Sequence, residues 1–169
     1  MTQGMEYITF NTDMGWVWIL GSRKGLLSVT LPQSSAQEAI KHLGLKNATW
    51  SSPRFEDLME RLKAYFSGRR VTFPDKLDLS RATYFQLEVW EITRLIPYGE
   101  TRSYAWVAKQ IKKPMAVRAV GQALGNNPLP VVVPCHRVVA SNGVGGFSGG
   151  LEMKRRLLHL EAAATSYQL

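Results

Sequence analysis

Apolar and polar residues alternate in short runs through the first third of the chain, and beyond it the apolar positions shift to helical spacing. Tyr7-Ile8-Thr9-Phe10, Trp16-Val17-Trp18-Ile19-Leu20 and Leu26-Leu27-Ser28-Val29-Thr30-Leu31 are rich in β-branched and aromatic residues. Asp13-Met14-Gly15 and Gly21-Ser22-Arg23-Lys24-Gly25 separate them as turns, so the pattern predicts an antiparallel meander. Ser34 or Ser35 caps a short helix through His42 that Gly44 closes. From Pro53 onward Phe55, Leu58, Met59, Leu62, Tyr65 and Phe66 recur on one helical face, and Gly68 supplies the stop. Residues 69–82, with Arg69-Arg70 and Pro74, predict an irregular extended connector. The expected organisation is an N-terminal α/β domain with its linker over 1–81 and a second domain over 82–169.

In that second part Phe85, Val89, Ile92 and Leu95-Ile96 form an apolar stripe that ends at Pro97-Tyr98-Gly99. Ser103 is placed to cap a helix over Tyr104–Ile111, which Lys112-Lys113-Pro114 breaks. Pro114 then suits the first position of a new helix running to about Gly125. Two short helices with a tight break outline a helix-turn-helix. After Asn126-Asn127-Pro128, the run Leu129–Val133 predicts a short buried strand. Ser141-Asn142-Gly143 turns the chain, Gly145-Gly146-Phe147-Ser148-Gly149-Gly150 forms a glycine-rich loop, and a last helix over about Leu151–Ala164 carries Leu157, Leu158 and Leu160 inward. The fold class expected is α/β (α+β): a small antiparallel sheet with helices, then a mostly helical, winged-helix-like domain containing the helix-turn-helix.

Charge narrows the choice of partner. The formal net charge is +8, and between Thr101 and Leu151 there is no acidic residue against six basic ones, Arg102, Lys109, Lys112, Lys113, Arg118 and Arg137. A stretch of one sign points to a polyanion, of which nucleic acid is the commonest. An apolar content of 45% excludes a disordered chain. No apolar stretch reaches the ~18 residues of a membrane span, and the N-terminus lacks a secretion pattern. The expectation is a protein of a reducing compartment, cytoplasmic and nucleoid-associated or nuclear, with no membrane partner.

Candidate chemistry centres on Cys135, the only cysteine in 169 residues. A lone cysteine is most often an inert buried hydrophobe. Here His136 follows it directly, and an imidazole can take the thiol proton or lower the thiol pKa. With one cysteine there is no intramolecular disulfide, and with His42, His136 and His159 as the only other soft ligands a structural zinc site is not expected. The helix Met115–Leu124 offers one long cation, Arg118, among Ala and Gly. Small residues let a backbone approach a narrow groove that carries little sequence information, and Arg118 is the one probe long enough to enter a base stack. The alternative is plain helix-on-helix packing with Arg118 in solvent. The Gly145–Gly150 loop lacks the Gly-Lys-Ser/Thr of a phosphate cradle, leaving a lid or a connector.

Pro134-Cys135-His136-Arg137-Val138, preceded by Arg118-Ala119-Val120-Gly121 and Asn127-Pro128 and followed by Ser148-Gly149-Gly150, resembles the O6-alkylguanine-DNA alkyltransferases. The strong similarity spans about Phe85 to Glu161, and the first 80 residues fit loosely. The resemblance implies direct, stoichiometric and irreversible transfer of an alkyl group from O6 of guanine, and O4 of thymine, to Cys135. It implies that His136 deprotonates the thiol through a water and that Glu161 orients His136. It further implies that Tyr104 donates a proton to guanine N3 and presses on the phosphate, that Arg118 fills the vacated stack, and that Asn127 is the hinge between recognition helix and active-site strand. The carbonyls of Cys135 and Val138 would accept from the guanine amine, and the Ser148 amide would contact O6. Phe147 would stack on the base, with Ala119, Gly121, Pro130 and Ser141 at the DNA or the substrate. Neither cofactor nor resident metal is implied.

The chain also departs from the family pattern. Phe147 stands where many members have Tyr, Gly125 where some have a basic residue, and the ligands of the N-terminal metal site of some members are missing. The partner implied is double-stranded DNA containing alkylated guanine, bound by a monomer, with cooperativity along DNA left open. Three other readings compete. Alkyltransferase-like proteins that bind lesions without repair lack the cysteine. A cysteine hydrolase using Cys135 with His136 or His159 would leave the basic helix pair without a purpose. A transcription regulator would need base-reading side chains that Met115–Leu124 does not offer.

Overall fold

The alternating runs pair because their apolar residues share one face of a pleated surface. In the computed structural model, which describes residues 4–41 and 48–166, the strands β1 (Glu6–Thr12), β2 (Gly15–Ser22) and β3 (Gly25–Val29) form the expected meander. Ile8 stands opposite Ile19 and Phe10 opposite Val17, all four buried. Helix α1 (Ala36–Ile40) starts at Ser35, whose hydroxyl accepts from the Glu38 amide at 3.1 Å; its expected end at His42 and Gly44 lies outside the described residues. A fourth strand, β4 (Thr49–Trp50), lies parallel to β1 and completes the order β3-β2-β1-β4. Sequence reasoning missed it because two exposed residues carry no alternation. Helix α2 (Ser52–Phe66) buries Phe55, Leu58, Leu62, Tyr65 and Phe66, and Gly68 at φ +97° lets Arg69 N–H donate back to the Ala64 carbonyl.

The chain divides into two compact units, Met1–Leu79 and Ser80–Leu169. The stretch expected to be an irregular linker is pinned to the first of them. Leu26 N–H donates to the Lys76 carbonyl at 2.9 Å, Asp78 N–H donates to the Leu26 carbonyl at 2.7 Å, and Arg61 grips Asp75 with two hydrogen bonds of 2.6 and 2.9 Å.

The second unit begins with α3 (Tyr84–Arg94), opened by a reciprocal cap between Thr83 and Gln86. Its inward residues are Val89, Trp90 and Thr93, followed by Ile96, whereas Leu95 is 71% exposed. Trp90 supplies the reason: its indole N–H donates to the Ala123 carbonyl at 2.9 Å, which rotates the buried stripe toward that side. Strand β5 (Arg102–Ser103) pairs in parallel with β6 (Val138–Val139). Helix α4 (Tyr104–Gln110) is capped by the Ser103 hydroxyl, which accepts from the Trp106 amide at 3.0 Å. Helix α5 (Val117–Gly125) completes the helix-turn-helix. It does not start at Pro114. That proline sits in a tight turn closed by Ala116 N–H donating to the Lys113 carbonyl, a second-position use of proline that its fixed φ also suits.

The expected strand over Leu129–Val133 is absent. Val133 N–H donates to the Leu129 carbonyl at 2.8 Å, and Val131 has φ +74°, so the run folds into a buried turn. Pro130 and Pro134 withdraw the donors a strand would need. Cys135–Arg137 then form one turn of 3₁₀ helix. Helix α6 (Leu151–Ser166) buries Lys154, Leu157 and Glu161, while Leu158 and Leu160 lie half-buried. No helix among the described residues is long and apolar enough to cross a membrane.

The break after α4 closes as a helix stop with Lys112 at φ +61°, Lys112 N–H donating to the Lys109 carbonyl and Lys113 N–H to that of Ala108. A residue with a Cβ is strained there and glycine is not. Lys112→Gly is expected to stabilise the protein by about 0.5–1 kcal/mol in urea unfolding; destabilisation would show that the lysine side chain supports the turn.

Candidate active site

The buried turn and the 3₁₀ turn that follows it place Cys135 rather than letting it float. Asn127, just past α5, donates from its amide to the Val133 carbonyl at 2.9 Å and accepts from Leu129 N–H at 2.9 Å, clamping both ends of the turn. Cys135 is 5% exposed, yet it lines a cavity of about 500 Å³. Tyr104 of α4, Val117, Arg118 and Gly121 of α5, and Gly146, Phe147 and Ser148 of the glycine-rich loop line the same cavity. That volume lies in the range of small-ligand pockets.

Behind the sulfur lies a buried charge cluster. His136 and Glu161 are buried, and His136 Nε2 meets Glu161 Oε2 at 2.5 Å. Arg137 Nε donates to Glu161 Oε1 at 2.9 Å, and the Gly99 amide donates to the same oxygen at 3.0 Å. Arg137 Nη1 also donates to the Ile96 carbonyl at 2.8 Å. Burial opposes ionisation of Glu161, but its hydrogen bonds to His136 and Arg137 win and hold the carboxyl at about 2. Burial pushes the His136 pKa down against the pull of Glu161. The imidazole is therefore neutral at neutral pH, donates from Nε2 to the carboxylate, and presents Nδ1 as its basic atom. Burial likewise pushes the Cys135 thiol up, opposed by Asn127, the Lys154 charge and backbone amides. The resting pair is a thiol and a neutral imidazole, not an ion pair.

The glycine-rich loop is held from beneath by a residue that sequence reasoning missed. Lys154 Nζ donates to the Val138 carbonyl at 2.7 Å, to the Gly146 carbonyl at 2.9 Å and to the Tyr104 hydroxyl at 3.3 Å. Burial lowers its pKa to about 8, against the opposing influence of Cys135. Tyr104 donates to the Gly146 carbonyl at 3.2 Å, and burial raises its pKa, which keeps the phenol protonated. Gly145, at φ +77°, lies so close to Tyr104 that a Cβ would come within 2.7 Å of the ring. The loop is thus latched by Tyr104 and Lys154 instead of hanging as a free lid.

The structure gathers Tyr104, Arg118, Gly121, Cys135, Phe147 and Ser148 around one cavity, with His136, Glu161 and Asn127 behind the sulfur. Ala119 is half-buried on α5, Pro130 half-buried in the turn and Ser141 exposed after β6, and none of the three lines the cavity. The Val138 carbonyl accepts from Lys154 and the Cys135 carbonyl from Val138 N–H. Cys135 and His136 lie in the 3₁₀ turn that follows the buried turn. Among the described residues no cluster of three or more His, Cys, Asp or Glu could hold a metal ion.

Residues 84–163 match the model of the 6-O-methylguanine DNA methyltransferase DNA binding domain, and residues 5–79 that of the ribonuclease-like domain of the same family. The chain belongs to the 6-O-methylguanine DNA methyltransferase family. A methylated-DNA–protein-cysteine methyltransferase of Mycolicibacterium paratuberculosis is 40% identical over 159 residues, 93% of this chain and 92% of that protein. The inducible enzyme of Bacillus subtilis is 38% identical, covering 88% of this chain and 86% of its own length. The crystal structure of Mycobacterium tuberculosis OGT in complex with DNA superposes with a TM-score of 0.81 at 38% identity over 94% of each chain. Within this methyltransferase frame the residues that pattern reading left unassigned are Arg137 and Lys154. Lys154 shares the buried face of α6 with Leu157, and the oxygens of Val138, Gly146 and Tyr104 that face its amine explain how a cation is accommodated there.

Two consequences are measurable. Replacing Glu161 with Gln strands a buried guanidinium, so Glu161→Gln is expected to cost about 3–5 kcal/mol in urea unfolding at neutral pH. Because folding lowers the Glu161 pKa from 4.5 to about 2, the carboxylate's contribution is present above 4.5 and is lost as pH falls through 2. Wild type should lose that increment on acidification while Glu161→Gln does not. Separately, Lys154→Met removes a cation that favours the thiolate, so the pH–rate curve for Cys135 alkylation by iodoacetamide should move to higher pH. An unmoved curve would show that Lys154 acts on the loop alone.

Proposed function

We propose that this protein repairs alkylated DNA by a single in-line transfer from O6 of guanine to the sulfur of Cys135. The observation that carries the reading is a lone thiol lining a base-sized cavity, backed by the buried His136–Glu161 pair and sharing that cavity with Arg118 of α5. In the transfer the alkyl carbon–O6 bond breaks as the sulfur–carbon bond forms, leaving a thioether. The thiol proton passes toward His136, whose imidazolium Glu161 stabilises, and guanine gains a proton as it leaves. Tyr104, kept protonated by burial and lining the same cavity, is the donor assigned to that second transfer, at N3. A thioether does not hydrolyse under ordinary conditions, so each chain acts once.

Alkylated O6 is out of reach inside a duplex, and the base must be extruded to meet a buried sulfur. A lesion that pairs weakly costs less to extrude, which contributes selectivity. Arg118 lies at the start of α5 and lines the cavity, the position from which a long cation can fill the gap the base leaves. The small residues Ala119 and Gly121 on the same helix allow close approach to the minor groove. Phe147 offers a stacking face without a hydroxyl. The protein is proposed to act as a monomer on double-stranded DNA wherever the cell keeps it.

A duplex carrying a labelled methyl group on guanine O6 tests the reading. Label should move to Cys135 at about one equivalent per chain without turnover, and Cys135→Ala should take up none; repeated turnover or label elsewhere would refute it. Arg118→Ala should slow repair of duplex DNA more than attack on the free alkylated base. Equal losses on the two substrates would remove Arg118 from extrusion.

A further inference from the structure

Among the described residues Met115 is the most exposed of the large apolar side chains. Its side chain is 95% exposed, although it stands in the turn between the two helices of the helix-turn-helix. That turn is rigid. Lys113 N–H donates to the Ala108 carbonyl at 2.9 Å, and Ala116 N–H donates to the Lys113 carbonyl at 2.9 Å, so Met115 is held out on a fixed loop rather than on a loose one. Two residues later Val117, itself 38% exposed, lines the cavity beside Arg118. Around Met115 the sequence is one-signed. Lys109, Lys112 and Arg118 are exposed, Lys113 is paired with Glu88 at 2.7 Å, and no acidic residue occurs between Thr101 and Leu151.

We propose that Met115 is a second, apolar probe of the DNA minor groove, packing against sugars and base edges beside the nucleotide that Arg118 displaces. This rests on the reading of α5 as the helix that meets the duplex. The positive surround specifies a polyanion, and a single flexible, polarizable side chain suits the irregular apolar walls of a minor groove better than a flat protein face. Apolar wedges, methionine among them, are the means by which minor-groove proteins part base steps. The two probes divide the work. Arg118 supplies charge and length, and Met115 supplies contact that does not depend on counterion release.

The division gives the test its readout. Affinity for a short duplex with one O6-methylguanine is measured over a salt series in the Cys135→Ala background, so that no transfer consumes the complex. Met115→Ala is expected to weaken binding about ten-fold with the slope of log affinity against log salt unchanged. Met115→Leu should stay within about two-fold of the parent, and Lys109→Gln should lower the slope by about one. With Cys135 restored, Met115→Ala should react with the free alkylated base at the wild-type rate, which excludes misfolding. Parent-like affinity of Met115→Ala, or a changed salt slope, would overturn the proposal. So would weakening confined to long duplexes, since Met115 would then meet a neighbouring copy. Loss of duplex repair in Arg118→Ala with Met115→Ala intact defeats the Met115 proposal alone, whereas wild-type behaviour of both variants defeats the assignment of α5 as well.

Discussion

One buried carboxylate organises the reactive unit. Glu161, on the last helix, accepts from the imidazole of His136, the guanidinium of Arg137 and the amide of Gly99. Isolating such a charge from water would cost several kcal/mol, and only this dense set of donors offsets it. The same contacts tie α6, the loop before β5 and the 3₁₀ turn into one body. Cys135 begins that turn, so the position of the sulfur is a consequence of where the carboxylate settles. Arg137 carries the compensating charge, which leaves His136 free to remain neutral. The tautomer follows, because the nitrogen facing Glu161 must hold the proton.

The electrostatics suit a sulfur used only once. A thiolate exposed at rest would be spent on any electrophile that reached it. Burial keeps Cys135 protonated and the imidazole of His136 uncharged. Asn127 and Lys154 oppose that push and lower the cost of ionising the thiol. Lys154 links this to shape, since its three acceptors belong to β6, the glycine-rich loop and α4. Charge at the sulfur and closure of the cavity wall are therefore set by the same amine.

Much of this was legible in the sequence where the governing physics is local. Ser103 and Gly68 act within one helical turn, and the predicted cap and stop are where the hydrogen bonds form. The meander declared itself by alternation. Errors came where partners distant in sequence decide the outcome. Leu129–Val133 has the composition of a strand, but the flanking prolines and the Asn127 clamp fold it into a turn. Leu157, Leu158 and Leu160 were expected to face inward from α6, yet Leu158 and Leu160 are half-buried and Lys154 and Glu161 share the inner face with Leu157, because Val138, Gly146, His136 and Arg137 offer them partners. Hydrophobic periodicity cannot register a buried charge whose partner lies elsewhere in the chain. The motif around Cys135 was readable as a resemblance to a family, whereas the roles of Arg137 and Lys154 needed the fold.

In the unreacted protein Cys135 is a neutral thiol and His136 a neutral imidazole anchored by Glu161. Imidazole nitrogen chemical shifts of His136, followed together with the ultraviolet absorbance of the thiolate across a pH titration of the unreacted protein, test it directly. An uncharged ring protonated at Nε2, and no thiolate absorbance, are expected at neutral pH. An imidazolium signal accompanied by thiolate absorbance at neutral pH would contradict it.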